Sequence, residues 1–167
     1  IVKPAQAAKL DYEAEVAMVI GKKAKNVKEE YAQDYIFGYC IVNDVSERSW
    51  QKERGGQWIK GKSIAGNCGP LLVTKDDIEN INNINLSLDV NKQRRQTGNT
   101  SRMIFNFNFL VSHISQFMTL FPGTIITTGT PSGTAMEMKE PKFLQAGDEI
   151  KIKIDYLGEQ LQVVVDE

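Results

Sequence analysis

Tyr12 to Ile20 reads YEAEVAMVI, and this alternation constrains the fold more than any other stretch of the chain. Tyr12, Ala14, Val16, Met18 and Ile20 fall on one side of a period-two pattern, which is a strand with one face toward a core. Glu13 and Glu15 then share the opposite face. Ile36 to Asn43 (IFGYCIVN) is apolar and rich in β-formers, and it delivers Asp44 at its end. Pro70–Thr74 and Thr124–Thr128 read as further strands. Asn85–Val90 turns at Asn91-Lys92 toward Arg95–Thr97, and Glu149–Asp155 pairs with Gln160–Val165 around Gly158. Helical spacing of Phe107, Leu110, Val111, Ile114, Phe117 and Met118 predicts an amphipathic helix within Met103–Leu120, stopped by Pro122 and Gly123. A shorter helix is expected from an Asn26 N-cap through Tyr35, with Glu29 and Glu30 near its first turn. Strands dominate without a βαβα rhythm, so the expected class is α+β with one main helix.

The 167 residues suit one ordinary domain, spanning 1–167. Lys and Arg number 20 against 21 Asp and Glu, a balance that argues against a nucleic-acid partner. No stretch approaches the roughly 20 apolar residues of a membrane helix, and the start lacks a signal-peptide layout. Cys40 and Cys68 are the only cysteines, so neither a disulfide framework nor a zinc-type spacing is present, and a reducing, cytoplasmic setting is expected. Cys40, in an apolar strand, should be buried and inert; Cys68 should be the accessible thiol.

Two carboxylates about 7 Å apart along one strand face repel unless something positive lies between them. A hard cation such as Mg²⁺ meets that need with oxygen ligands. The same spacing is equally what a half-exposed strand shows when its outer face is merely solvated. Asp44, at a strand end, is compatible with a metal ligand or with an ordinary turn residue. Spacing alone leaves both readings open.

From Ser46 to Gly69 the pattern changes to a loop, with Gly55, Gly56, Gly61, Gly66 and Gly69 around Trp50 and Trp58. The glycines lack P-loop spacing and a strand-to-helix context. The tryptophans are expected to anchor the loop to the core, and Lys62 taken by itself reads as a solvated lysine.

The words around these residues narrow the choice. LDYEAEVAMVIG (Leu10–Gly21), FGYCIVNDVSERSWQ (Phe37–Gln51), GGQWIKGKS (Gly55–Ser63), GNTSRMIF (Gly98–Phe105), FMTLFPGTIITTGTPSG (Phe117–Gly133) and FLQAGDEIKIKIDYLG (Phe143–Gly158) occur in that order. Together they resemble the catalytic domain of the fumarylacetoacetate hydrolase superfamily over nearly the whole chain. The SER, ERGGQW and GEQ variants look closest to members acting on 2,4-diketo-3-deoxy sugar acids.

The resemblance implies a mixed, twisted β-roll, a homodimer, and a divalent cation (Mg²⁺, or Mn²⁺ or Ca²⁺) held by Glu13, Glu15 and Asp44. It implies Lys62 beside the substrate, Gln51 on the reacting oxygen, Arg48 in the S-x-R position, and Thr130 on the substrate carboxylate. The implied substrate is a small 2-keto acid, an acylpyruvate or diketo-deoxy sugar acid cleaved to pyruvate or a relative. The same site could instead decarboxylate or tautomerise oxaloacetate, or bind metal without catalysis. In the family a His/Glu pair upstream of the E-x-E strand activates water. Ile1–Lys3 do not carry it, and since Ile1 is not an initiator methionine we expect it upstream. The chain is also shorter than the family pattern between Lys3 and Leu10 and over Ser63–Pro70. His113, the sole histidine, falls on the amphipathic helix and is read as carrying no chemistry.

Overall fold

The computed structural model describes residues 1–53 and 68–167. The strand expected over Tyr12–Ile20 is present as β3 (Ala14–Ile20), beginning two residues later than its alternation suggests. Before it, β2 (Leu10–Asp11) bends away to pair antiparallel with β5 (Ser46–Glu47). Glu13 lies in the break, where side chains replace part of the ladder: the Asn43 Oδ1 accepts the Glu13 N–H at 3.0 Å, and the Gln96 Oε1 accepts the Ala14 N–H at 3.0 Å. A backbone polar group shut away from water needs such a partner.

β3 pairs antiparallel with β4 (Ile36–Asn43) on one side and β9 (Ile125–Thr127) on the other, and β6 (Val73–Thr74) extends the sheet beyond β4. A second four-stranded antiparallel sheet has the order β11-β10-β7-β8, from β7 (Asn85–Val90), β8 (Gln93–Asn99), β10 (Glu149–Ile154) and β11 (Gly158–Val163). Asn91 and Lys92 both take positive φ in the β7–β8 turn, the conformation a two-residue hairpin needs to match strand twist. A parallel pair, β1 (Val2–Lys3) with β12 (Val165–Asp166), brings the two ends of the chain together. The fold is α+β and strand-dominated, with both sheet directions represented, as expected.

The inner faces of both sheets share one core. Val16, Met18, Ile20, Tyr39 and Ile41 from the first sheet join Leu86, Leu88, Ile150 and Ile152 from the second. Each fully buried branched side chain contributes on the order of 1.5–3 kcal/mol against leaving it in water. The main helix, α2 (Phe107–Phe117), is capped by Asn106, whose side chain accepts the Phe109 N–H. It places Phe107 and Val111 in this core, with the Phe107 ring edge-on to Tyr39 at 5.3 Å. Among the described residues no helix is long and apolar enough to cross a membrane.

Three expectations are corrected. The Asn26-capped helix is absent: Asn26 has φ 52°, and a 3-10 helix runs only over Glu29–Tyr35. The preceding amides are satisfied by other elements instead, Asn26 N–H by the Ser115 carbonyl and Val27 N–H by the Ser115 hydroxyl. Phe117 and Met118 do not join the core face of α2, because the buried row is Phe107, Val111 and Ser115 and both fall outside it. The stretch from Ser46 is not loop throughout, since β5 leads straight into α1 (Arg48–Glu53). The Glu47 carboxylate starts that helix by accepting the Trp50 N–H and the Ser49 hydroxyl. Gly55, Gly56, Trp58, Gly61, Lys62 and Gly66 lie outside the described residues.

Candidate metal centre

Strand pairing and one side-chain bond bring the three carboxylates together. Asn43 ends β4 opposite Ala14, so the next residue, Asp44, emerges beside Glu13, and its N–H donates to the Glu13 carbonyl at 2.8 Å. Glu15 follows on the same face of β3. One ligand oxygen from each of Glu13, Glu15 and Asp44 lies within 4.8 Å of the others. Glu13 and Glu15 are 8% and 3% exposed, which rules out the solvated-face reading of this pair. The donor set is three carboxylates with no sulfur or imidazole, the chemistry that suits Mg²⁺, Mn²⁺ or Ca²⁺.

Each glutamate is aimed by a donor from another element. The Gly129 N–H donates to Glu15 Oε2 at 2.8 Å, from a turn that needs φ +88° at this glycine. Arg48 Nη2 donates to Glu13 Oε1 at 2.6 Å, and the Ser46 hydroxyl stands 3.5 Å from Glu13 Oε2. Arg48 itself is held by Nε donating to Asp11 Oδ2 at 2.9 Å. Burial opposes its charge, but the Glu13 and Asp11 carboxylates outweigh burial and raise its pKa further.

Asp11 and Glu47 carry the support, and sequence reasoning passed over both. Asp11, fully buried, accepts N–H bonds from Tyr12, Ala135 and Met136 as well as from Arg48. Glu47, also fully buried, accepts from the Ala8 and Lys9 amides in addition to those of α1. Burial alone would raise the Glu47 pKa; the bonds from Ser49, Trp50, Lys9 and Ala8 prevail and lower it. A buried carboxylate flanked by ordinary residues leaves no local signal; its partners lie up to 125 residues away.

The other named residues divide. Gln51 sits one turn after Arg48 on α1, and its Oε1 accepts Arg48 Nη1 at 3.1 Å, so it joins the cluster through Arg48. Arg48, named for substrate contact, makes its observed bonds to Asp11, Glu13 and Gln51. Thr130 follows Gly129 in the same turn, but its hydroxyl proton goes to the Ala14 carbonyl at 2.9 Å while its oxygen accepts Gln96 Nε2. A hydroxyl has one proton to give, so Thr130 binds a substrate carboxylate only by releasing Ala14. Lys62 lies outside the described residues. His113 is exposed and stacked on Phe109 at 5.4 Å on the main helix, and it is not among the residues of the carboxylate cluster. A cavity of about 430 Å³ lined by Val16, Leu86, Gly98, Met103, Leu110 and Thr130 opens on the Val16 side of β3, opposite the glutamates.

Comparison with known proteins shows the family and the fold. The family described as "Fumarylacetoacetate (FAA) hydrolase C-terminal" matches residues 1–165. A curated Burkholderia cenocepacia protein named "Putative hydrolase" is 50% identical over 162 residues, covering 95% of this chain and 57% of that protein. The chain thus spans little more than half the length of the curated relatives it matches. Among solved structures, a fumarylacetoacetate hydrolase from Exiguobacterium antarcticum superposes with a TM-score of 0.92 at 37% identity, covering 97% of this chain and 58% of that one. A 5-carboxymethyl-2-hydroxymuconate delta-isomerase from Mycobacterium smegmatis gives 0.90 at 36% identity (100% and 63%). A maleylpyruvate hydrolase from Sphingobium gives 0.87 at 30% identity (100% and 60%).

Proposed function

We propose that this chain, which belongs to the fumarylacetoacetate hydrolase family, is the metal-binding catalytic domain of a hydrolase that cleaves the carbon–carbon bond of a small 2,4-diketo acid. The observation that carries the reading is the convergence of Glu13, Glu15 and Asp44 within 4.8 Å on one sheet face. Mg²⁺, or Mn²⁺ or Ca²⁺, would supply Lewis-acid polarisation of the substrate's 2-keto oxygen and charge neutralisation there. The fit rests on the all-carboxylate donor set and on the fixed aim of Glu13 and Glu15.

In the reaction proposed, water adds to the C4 carbonyl and the C3–C4 bond breaks with its electron pair going to C3. Protonation of C3 yields pyruvate or a relative, and C4 leaves as a carboxylic acid. Arg48 orients Glu13 and steadies Gln51, which faces the reacting oxygen. Lys62 stabilises the enolate charge that develops on the departing keto acid. Thr130 receives the substrate carboxylate by turning its hydroxyl proton from the Ala14 carbonyl to the substrate, while the Gly129 amide keeps Glu15 in place. A second reading is keto–enol interconversion or decarboxylation of oxaloacetate on the same metal site; the solved relatives named as isomerases favour the interconversion, not the decarboxylation.

The test is a substrate panel of acylpyruvates, diketo-deoxy sugar acids and oxaloacetate, with Mg²⁺, on the full-length protein. Release of pyruvate with a carboxylic acid from an acylpyruvate or sugar acid supports hydrolysis. Carbon dioxide or enol exchange from oxaloacetate alone supports the second reading, and inactivity on all of them contradicts both. Lys62→Met should slow the active reaction at least about tenfold, about 1.4 kcal/mol of barrier.

A homodimer is proposed as part of this reading, with the aromatic face of α2 against a second copy. Phe105, just before the helix, stacks on Phe109 at 4.7 Å, Phe109 stacks on His113 at 5.4 Å, and Phe117 meets His113 edge-on at 5.0 Å. Phe105, Phe117 and Phe121 are 52%, 72% and 58% exposed. They leave on the order of 400 Å² of aromatic surface in water, about half of what one partner contributes to a standard interface. An exposed aromatic row of this kind suits its own copy.

A further inference from the structure

Cys40, expected buried and inert, and Cys68, expected to be the accessible thiol, have their sulfurs brought to 2.8 Å by the fold. The pairing follows from strand register. Glu15 faces Val42 across β3 and β4, and Val42 in turn forms an isolated antiparallel bridge with Cys68. Cys40, two residues before Val42, faces Ala17, so its side chain lies on the same sheet face as Glu15. The Gly69 N–H donates to the Ile41 carbonyl at 2.9 Å and fixes the chain beside Cys68. Cys40 is buried and Cys68 is exposed.

We propose that Cys40 and Cys68 are an oxidation site that closes to an intramolecular disulfide one row of the sheet away from the carboxylate cluster. Cys68 meets the oxidant first, because burial and the contact with Cys68 push the Cys40 thiol up to about 12 and its sulfur is screened from solvent. With hydrogen peroxide as oxidant, the Cys68 thiol becomes a sulfenic acid and one water leaves. The Cys40 sulfur then attacks the Cys68 sulfur, the S–O bond breaks, and the second water leaves with the Cys40 proton. Two thiols lose two electrons and two protons, and one peroxide is reduced to two waters. In sequence, the closed ring would contain Asp44, Arg48, Gln51 and Lys62, so the residues assigned above on that segment would be covalently enclosed. The thiol chemistry itself is independent of the reaction proposed for the site.

The experiment treats the full-length protein with a small excess of hydrogen peroxide, and separately with oxidised glutathione. Peptide mass spectrometry without reduction follows, together with thiol counting under denaturing conditions. The expected result is a Cys40–Cys68 linked peptide pair, two hydrogens lighter than the free peptides, with both thiols lost together and recovered by dithiothreitol. Cys68→Ser should leave Cys40 unoxidised under the same treatment, and Cys40→Ala should stop at a Cys68 sulfenic acid or glutathione adduct. The proposal is overturned if wild-type protein accumulates the Cys68 adduct without the linked pair, or if both thiols survive treatment.

Discussion

Arg48 donates to Glu13 through Nη2 at 2.6 Å while its Nε donates to Asp11 at 2.9 Å, with Asp11 shut off from water. One cation thereby ties a cluster carboxylate to the framework of the fold. Replacing Arg48 by Ala leaves Asp11 and Glu13 buried without that cation, a loss worth about 3–5 kcal/mol. Urea denaturation should show this as a lower midpoint at unchanged slope. Arg48→Lys keeps the charge but loses the forked geometry, and should fall between the two.

Glu47 makes stability depend on acid. Its pKa is lowered in the folded protein, so its contribution is fully present above the unfolded-state value of about 4.3. That contribution is lost as pH falls through the lower folded-state pKa. Glu47→Gln should therefore be destabilised by about 1–3 kcal/mol at neutral pH, through weakened acceptance of the Ala8, Lys9 and Trp50 amides. The gap from wild type should narrow as pH drops below about 4. Thermal melts of both proteins across pH 3–7 check this; a gap constant with pH would remove Glu47 from the account.

Phe107 ties α2 to the first sheet through Tyr39. Phe107→Ala should cost about 3–5 kcal/mol, measured by chemical denaturation, because the side chain is fully buried and its removal leaves a cavity. An unchanged midpoint would show that α2 packs differently.

Phe117 lies outside the buried row of that helix and is exposed. Phe117→Asp should leave the melting temperature of a monomer little altered but shift sedimentation from dimer to monomer. A mass unchanged by the substitution would place any subunit contact elsewhere.

The strands were legible because alternation and turn chemistry are local. Asn91-Lys92 marked a hairpin, and YEAEVAMVI marked one of the two inner strands of the sheet that carries the site. The carboxylate trio was legible only as a possibility, since Glu13 and Glu15 on one strand face have the same pattern whether buried or solvated. Burial is set by elements far along the chain, such as the Gly129 turn that caps Glu15. Asp11 and the Cys40–Cys68 pair escaped for the same reason: their partners are distant in sequence and meet only through strand register. The Asn26 helix failed because tertiary hydrogen bonds to Ser115 took the amides that a local reading assigned to a helix.

The central claim is that Glu13, Glu15 and Asp44 hold a divalent cation, and titration calorimetry with Mg²⁺ and Mn²⁺ tests it most directly. Wild-type protein should bind one ion per chain, and Glu15→Ala, which removes one of the three carboxylates while leaving Arg48 paired with Glu13, should bind at least tenfold more weakly, about 1.4 kcal/mol. Equal binding by both proteins, or no binding by wild type, would contradict the assignment.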